Sequence, residues 1–217
     1  MERASLKVRS SSLSRLLKAT TDLEIYNDAN SDLVNFFRCL KYHSDELKKE
    51  IKYYLNSLEM FLDCRERISV TGFTDIQRAA MFYVLVKTGF GASLRTFGCN
   101  KKRLNTDNFA DIEARLDGVV IENKDFEDLI KVYDREKALF YCDPPYHKTE
   151  RHYTVKFTED DHERLCRVLH QIKGRFVLSY NDDKYVRDLY KDYNIQAVTR
   201  NNSLSSGDFK EVIITNF

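Results

Sequence analysis

The chain has 217 residues, 42% of them hydrophobic, and its 35 basic and 34 acidic residues give a formal net charge of +1. This length and composition suffice for one main domain with a smaller insertion, and the charge neither favours nor excludes a nucleic-acid partner. The five cysteines are scattered without a Cys-x-x-Cys pair, which argues against a zinc site or a disulfide framework. We therefore expect a reducing, cytoplasmic compartment. No apolar run approaches a membrane span, and the N-terminus lacks the apolar core of a signal peptide.

The histidines show no spacing typical of metal ligands, so we expect ordinary surface histidines and no metal site. They are His43, His147, His152, His162 and His170.

The first 21 residues are polar and rich in serine, and residues 11–18 are predicted to form a short helix. No glycine occurs before Gly72. Residues 23–28 alternate between apolar and polar side chains and predict a strand that ends in Asp28. An acid at such a strand end is well placed to bind ribose hydroxyls, although Asp28 or Asn30 could equally cap the next helix.

A helical region follows. Two separate apolar faces and a plausible cap at Ser44 indicate two helices within residues 32–62, and a third helix is predicted over residues 75–87. The next loop combines glycines and aromatic residues with a basic cluster. The cluster comprises Arg95, Lys101, Lys102 and Arg103. Such a loop suits phosphate contacts, although a solvated surface loop has the same composition.

After a predicted helix over residues 104–116, a β-branched strand over residues 118–122 ends in Asn-Lys-Asp-Phe, residues 123–126. On the residues alone, this ending is a turn that leads into the next helix.

Residues 138–142 are all apolar or aromatic and predict a strand buried on both faces. Asp143, Pro144, Pro145 and Tyr146 follow, and these prolines are the only two in the chain. Because proline lacks a backbone donor, the strand must end here. A carboxylate and an aromatic ring are left at the carboxyl end of a buried strand, where α/β sheets bind their ligands.

The rest of the chain predicts two helices and three strands. The helices cover residues 158–170, with Thr158 and Asp161 as a capping box, and 185–190; the strands cover 175–180, 195–199 and 211–216. Strands and helices alternate, so most of the sheet should be parallel.

The Asp-Pro-Pro-Tyr corner suits methylation of a base amine. The adenine amine is a poor nucleophile because its lone pair is delocalised into the ring. A carboxylate and a carbonyl that accept its two hydrogens draw the nitrogen toward a tetrahedral shape. Asp143 and the Pro144 carbonyl provide these acceptors, and Tyr146 provides a ring on which a flipped base could stack.

With these motifs the chain resembles, over residues 22–217, the family of adenine-specific DNA methyltransferases that includes the Dam methylases. Ser-Tyr-Asn-Asp at residues 179–182 and the final stretch, residues 210–217, are also similar to that family. The resemblance implies a Rossmann-like α/β sheet that depends on S-adenosylmethionine, with a helical insertion for target recognition. It implies a catalytic domain of residues 1–40 and 117–217, an insertion of residues 41–116, and a missing first strand.

The resemblance also implies the roles of individual residues. Asp143, Pro144, Pro145 and Tyr146 are expected to be catalytic. The methyl donor is expected to bind Asp28 through its ribose, and Asp125 and Phe126 through its adenine. The family's glycine loop, which approaches the methionine end of the donor, is absent, which predicts weak donor binding and low activity.

The sequence therefore predicts an enzyme that transfers a methyl group to N6 of adenine in double-stranded DNA, as in restriction–modification. Two alternatives stay open at this point: an inactive truncated remnant that at most binds DNA, and a methyltransferase for cytosine N4 or an RNA base. A missing central strand would leave sheet edges exposed and favour self-association. The recognised DNA sequence and the oligomeric state do not follow from the sequence.

Overall fold

The structure, a computed structural model, describes residues 3–7, 23–90, 94–98, 104–150, 155–201 and 208–217. Within these ranges the chain forms seven strands and eight helices. In chain order they are β1 (Arg3–Lys7), β2 (Glu24–Asn27), α1 (Ser31–Tyr42), α2 (Ser44–Ile51), α3 (Leu58–Arg67), α4 (Asp75–Thr88), α5 (Phe109–Leu116), β3 (Val119–Glu122), α6 (Phe126–Tyr133), β4 (Leu139–Asp143), α7 (Glu159–Gln171), β5 (Arg175–Asn181), α8 (Lys184–Leu189), β6 (Asn194–Asn201) and β7 (Asp208–Thr215).

The strands form one sheet in the order β3-β2-β1-β4-β5-β7-β6. Strand β1 pairs in parallel with β2 and β4, and β4 pairs in parallel with β5. Strand β7 is antiparallel to both β5 and β6. The order matches a doubly wound Rossmann-like sheet except that an antiparallel strand is inserted near one edge. The predicted α/β class is confirmed.

The expectation that the first strand is missing is wrong. Strand β1 lies between β2 and β4, with Lys7 opposite Asp143 at the end of the β1–β4 ladder. Five residues are too few for a periodic pattern to distinguish a strand from a polar N-terminal segment. Because β1 fills the centre of the sheet, the gap from which self-association was expected does not form between β2 and β4. The predicted helix over residues 11–18 lies outside the described residues.

The chain divides into two compact units, Met1–Asn30 with Glu122–Phe217, and Ser31–Ile121. The first contains most of the sheet and the second is mainly helical. The assignment of the helical unit to DNA target recognition stays a prediction.

In the sheet unit, close backbone packing at the start of β5 fixes its register against β4. The backbone N–H of Arg175 donates to the carbonyl of Ala138 at 2.8 Å. A Cβ at Gly174 would lie 2.8 Å from that same carbonyl oxygen, so only glycine fits there without a shift. The register pairs Cys142 with Leu178, which brings the end of β4 beside Ser179.

The helical unit is built on buried aromatic side chains. The Phe36 ring of α1 stacks on the Tyr83 ring of α4 with centroids 5.7 Å apart, and Phe109 of α5 meets both rings edge-on. Helix α4 begins with a reciprocal capping box, in which the Thr74 hydroxyl accepts from the Gln77 backbone and the Gln77 side chain accepts from the Thr74 backbone.

Two helix predictions need correction. The two helices predicted within residues 32–62 are three: a helix does start at Ser44, but the chain breaks a second time between Ile51 and Leu58. At the second break the Ser57 hydroxyl accepts from the Met60 backbone and starts α3 as its N-cap. The helix predicted over residues 104–116 begins only at Phe109.

Among the described residues, no helix combines the length and apolar character needed to cross a membrane. Over the same ranges, no cluster of three or more His, Cys, Asp or Glu side chains is arranged to hold a metal ion.

Candidate functional site

The Asp-Pro-Pro-Tyr segment lies where β4 ends, at the carboxyl edge of the parallel strands. Strands β2 and β4 flank β1, so Asp28 and Asp143 follow or end strands on either side of it. Doubly wound sheets bind ligands at this edge. The prediction that β4 is buried on both faces is only partly right. Phe140 and Cys142 are buried, whereas Tyr141 is partly exposed on the other face.

The Asp143 carboxylate is held in place by the neighbouring strand. Asp143 is 8% exposed, and the Ser179 hydroxyl of β5 donates to its Oδ1 at 2.7 Å. A hydrogen bond to a charged acceptor at this distance is among the stronger ones in proteins. The carboxylate therefore has a defined orientation at the strand end.

Tyr146 is anchored by a buried carboxylate of β7. Its hydroxyl donates to Glu211 Oε1 at 3.1 Å, and Glu211 is 2% exposed. Burial raises the pKa of Tyr146 far above its ordinary value, and the negative charges of Asp143 and Glu211 raise it further. The tyrosine is therefore a neutral donor. Tyr146 as a whole residue is only 3% exposed, so stacking on a flipped base requires neighbouring side chains to move.

Asp28 is buried immediately after β2. Its Oδ2 accepts from the Tyr26 hydroxyl at 3.0 Å and its Oδ1 from the Asn30 backbone at 2.8 Å. Burial raises the pKa of Asp28 to about 7, although these two hydrogen bonds act to lower it. In this arrangement Asp28 organises the turn into α1, which is the helix-start role that the sequence left open beside ribose binding.

The segment after β3 is tied to the end of β2. The Asn27 amide nitrogen donates to the Lys124 carbonyl at 3.0 Å, and the Lys124 backbone donates back to Asn27 Oδ1 at 2.8 Å. The Asn123 side chain donates to the Asp28 carbonyl at 2.6 Å. These bonds bring the Asn-Lys-Asp-Phe segment beside Asp28.

Asp125 and Phe126 start α6, and both contact Arg164 of α7. The Arg164 guanidinium donates to Asp125 Oδ1 at 2.7 Å and to Oδ2 at 2.9 Å. It also lies 4.1 Å from the centre of the Phe126 ring. Burial alone would raise the pKa of Asp125, but the Arg164 hydrogen bond, the Glu127 backbone and the Arg164 charge hold it below its ordinary value.

The expectation that all the histidines are surface residues is wrong for two of them. His147, which follows Tyr146 directly, is 9% exposed, and His162 of α7 is 1% exposed. Their rings meet edge-on with centroids 5.7 Å apart. Spacing could not reveal this, because the two residues come together only through the packing of α7 on the sheet.

The predicted DNA-binding cluster is only partly described. Arg95 is exposed, and its backbone carbonyl accepts from the Arg65 guanidinium at 2.8 Å. Lys101, Lys102 and Arg103 lie outside the described residues, so their role stays a prediction.

The structure thus collects the predicted carboxylates at the ends of β2, β3 and β4, and adds partners that the sequence did not reveal. The added residues are Ser179, Glu211 and Arg164, together with His162 and Glu150, whose side chains hydrogen-bond each other at 2.9 Å. Ser179 and Glu211 lie in stretches that resembled the family, and a carboxylate at the start of an apolar strand was a usable signal for Glu211. Arg164 and Glu150 had no distinguishing signal in the sequence.

Comparison with known proteins decides the family. Residues 12–204 match the family described as D12 class N6 adenine-specific DNA methyltransferases. The chain belongs to this family. It is also 28% identical over 227 residues to the type II methyltransferase M1.LlaDCHI of Lactococcus lactis subsp. cremoris, covering 89% of this chain and 79% of that relative. The reaction class is therefore N6 methylation of adenine in DNA, as the sequence predicted.

Among solved structures, the methyltransferase chain is similar to the rRNA methyltransferase aviRa from Streptomyces viridochromogenes. The identity is 12%, the TM-score is 0.34, and the match covers 99% of this chain and 76% of that chain. The chain is assigned to its family by the match over residues 12–204 and not by this structural similarity.

Proposed function

We propose that this protein transfers a methyl group from S-adenosylmethionine to N6 of an adenine in double-stranded DNA, in the manner of a restriction–modification methyltransferase. The observation that carries the proposal is the oriented Asp143 carboxylate, buried at the end of β4 and bonded to Ser179 at 2.7 Å. The two prolines that follow it leave their carbonyls as acceptors without adding donors.

The residues of this chain activate the N6 amine of adenine as a nucleophile. In the proposed complex one N6 hydrogen bonds the Asp143 carboxylate and the other bonds the Pro144 carbonyl. This pairing localises the nitrogen lone pair, and Asp143 takes the proton that N6 loses. When bound, S-adenosylmethionine supplies an electrophilic methyl group whose electron pair stays with the sulfur. The Tyr146 ring contacts the flipped base.

The residue types around the strand ends fit the proposed donor. Carboxylates at Asp28 and Asp125 can accept from ribose hydroxyls and from an adenine amine, and Phe126 offers a ring face. In the structure these groups have internal partners, Tyr26 and Asn30 for Asp28 and Arg164 for Asp125. Donor binding must therefore replace these hydrogen bonds, which favours modest affinity.

We also propose that the helical unit, predicted over residues 41–116, recognises the DNA target. The support is the basic cluster of Arg95, Lys101, Lys102 and Arg103 in a loop with Phe90 and Phe97. Cationic side chains provide phosphate contacts and aromatic side chains suit unstacked bases. Phe90 is 63% exposed, as a contact residue should be.

Calorimetry measures the binding of S-adenosylmethionine. Methyl transfer is measured on mixed-sequence duplex DNA, and separately on single-stranded DNA, on adenine-free DNA that contains cytosine, and on RNA. We expect methylated adenine in duplex DNA and no transfer by Asp143→Ala, which should fold normally because Asp143 lies at a strand end. Asp188→Ala, an exposed change in the same unit, is the matched control.

The other outcomes decide between the alternatives. Methylated cytosine or RNA would replace the adenine proposal. A folded chain without donor binding would favour the inactive remnant, whose support is the absence of glycine between β1 and β2. Unchanged turnover in Asp143→Ala would remove the catalytic assignment of Asp143.

A further inference from the structure

The turn that follows the catalytic segment is held by several side-chain bonds. The Thr149 backbone and hydroxyl both donate to the Tyr146 carbonyl at 2.9 Å. The His147 side chain bonds Asp183 at 3.2 Å and stacks on the Tyr185 ring with centroids 4.4 Å apart. This segment, residues 146–150, is here called the catalytic turn.

One residue of the catalytic turn has an unfavourable backbone. Lys148 has a φ of 67°, in the left-handed region that side-chain-bearing residues seldom adopt. Its backbone N–H donates to Glu150 Oε1 at 2.9 Å. Such a conformation persists only where the surroundings hold it, so the Glu150 carboxylate is part of what maintains the turn.

Glu150 is in turn held by His162. The Nε2 atom of His162 lies 2.9 Å from Glu150 Oε1, and Nδ1 lies 2.6 Å from the Tyr180 hydroxyl. Burial would raise the pKa of Glu150, but hydrogen bonds from His162 and from the Lys148 backbone hold it below its ordinary value. An ionised carboxylate only accepts hydrogen bonds, so Nε2 must carry a hydrogen.

The neutral His162 ring joins β5 to the catalytic turn through one hydrogen bond at each nitrogen. Burial lowers the pKa of His162, although the neighbouring Glu150 acts to raise it. In the neutral ring Nδ1 accepts from the Tyr180 hydroxyl while Nε2 donates to Glu150. Tyr180 follows Ser179, the partner of Asp143, so β5 supports both the catalytic carboxylate and the histidine.

We propose that His162 is a positioning residue for methyl transfer. It acts through Glu150 to hold the catalytic turn, which continues directly from the Asp143–Tyr146 segment. This inference rests on the proposed function of that segment. The two ring nitrogens of His162 bond Tyr180 and Glu150, so neither is left to bond Asp143. Loss of the ring should therefore lower the rate of transfer and leave donor binding nearly unchanged.

Two substitutions of His162 distinguish the roles of its two ring nitrogens. In His162→Gln the side-chain amide can reach the Nε2 position and still donate to Glu150. In His162→Asn the shorter side chain can serve only the Nδ1 position beside Tyr180. We expect kcat to fall by about tenfold in His162→Asn and by less than about threefold in His162→Gln, with KM for the donor within about twofold in both.

Glu150→Ala should lower kcat as much as His162→Asn does. The double variant should have the same kcat as either single variant, because both changes remove the same hydrogen bond between His162 and Glu150. His170→Asn is the matched control: it lies on the same helix, is exposed, and bonds Tyr193 at 2.9 Å. It should leave kcat unchanged.

Amide hydrogen exchange gives a readout that does not need activity. The Lys148 amide should exchange faster in His162→Asn than in His162→Gln, while amides of β4 stay protected. Equal kcat in His162→Asn and the parent, additive losses in the double variant, or unchanged Lys148 exchange would each overturn the inference. If the parent transfers no methyl group at all, the proposed function fails, and Lys148 exchange still decides whether His162 holds the turn.

Discussion

The guanidinium carbon of Arg164 lies 4.1 Å from the centre of the Phe126 ring. The same guanidinium makes two parallel hydrogen bonds to Asp125, at 2.7 Å and 2.9 Å. A flat group on the ring and an N–H donor to the carboxylate are what the adenine of S-adenosylmethionine would provide. Arg164 therefore occupies both positions that were predicted for the donor's adenine, the Phe126 ring face and the Asp125 carboxylate.

Arg164→Ala should bind S-adenosylmethionine more tightly than the parent. Binding would no longer replace an ion pair and a cation–π contact, each worth on the order of 1 kcal/mol, so we expect a Kd lower by up to about 30-fold. Calorimetry provides the measurement. Arg167→Ala is the matched control, since Arg167 lies on α7 but pairs only loosely with Glu163 at 3.9 Å. Weaker binding in Arg164→Ala would mean that Arg164 supports Asp125 rather than competing for it.

Ser179→Ala should slow methyl transfer without weakening donor binding. The variant removes the hydrogen bond that orients Asp143, and bonds to a charged acceptor are worth about 1.5–3 kcal/mol, which corresponds to roughly 10- to 100-fold in rate. Single-turnover methylation under saturating donor measures the effect. Ser69→Ala, an exposed change in the helical unit, should leave the rate unchanged. A parent-like rate in Ser179→Ala would show that β4 alone orients the carboxylate.

The buried Asp28 should make stability depend on pH. Its folded-state pKa of about 7 lies above the ordinary 3.8, so the native state keeps a proton that the unfolded chain loses between these values. The stabilisation of the folded state by this retained proton is complete below the unfolded-state pKa of Asp28 and is lost as pH rises through 7. Asp28→Asn cannot ionise, so its stability relative to the parent should rise toward pH 8, by at most about 4 kcal/mol.

Urea unfolding at about pH 5 and about pH 8 measures the part of that difference that lies above pH 5, which is at most about 3 kcal/mol. The exposed Asp188→Asn is the control and should show the same pH profile as the parent. If Asp28→Asn and the parent keep a constant stability difference across this range, Asp28 titrates in the folded state as an ordinary carboxylate.

The basic cluster should contribute to DNA affinity on any sequence. Replacing Arg95, Lys101, Lys102 and Arg103 by alanine should weaken duplex binding. It should also flatten the salt dependence by up to about 0.9 in log–log slope for each phosphate that the variant no longer neutralises. Fluorescence titration over a salt series measures both. The matched control replaces four exposed lysines of the sheet unit: Lys137, Lys173, Lys184 and Lys191. Equal affinities for the two variants would make the cluster ordinary solvated surface.

Local sequence patterns determined most of the elements and the reacting corner. The apolar run before Asp143 required a buried strand, and the two prolines required that strand to end there, because proline cannot donate to a ladder. Alternation before Asp28 and the capping residues of α7 predicted their elements in the same way. These signals lie within a few residues of one another, so no tertiary information was needed.

Only the tertiary structure decided what holds those residues. Strand β1 is recognised by its ladders with β2 and β4, since five polar-rich residues have no periodic signal of their own. The pairs Ser179–Asp143, Glu211–Tyr146 and Arg164–Asp125 join residues 36, 65 and 39 positions apart. Such pairings are set by strand register and helix packing. A single sequence therefore indicates which carboxylates could react, whereas the folded chain determines which neighbours orient, bury or occupy them.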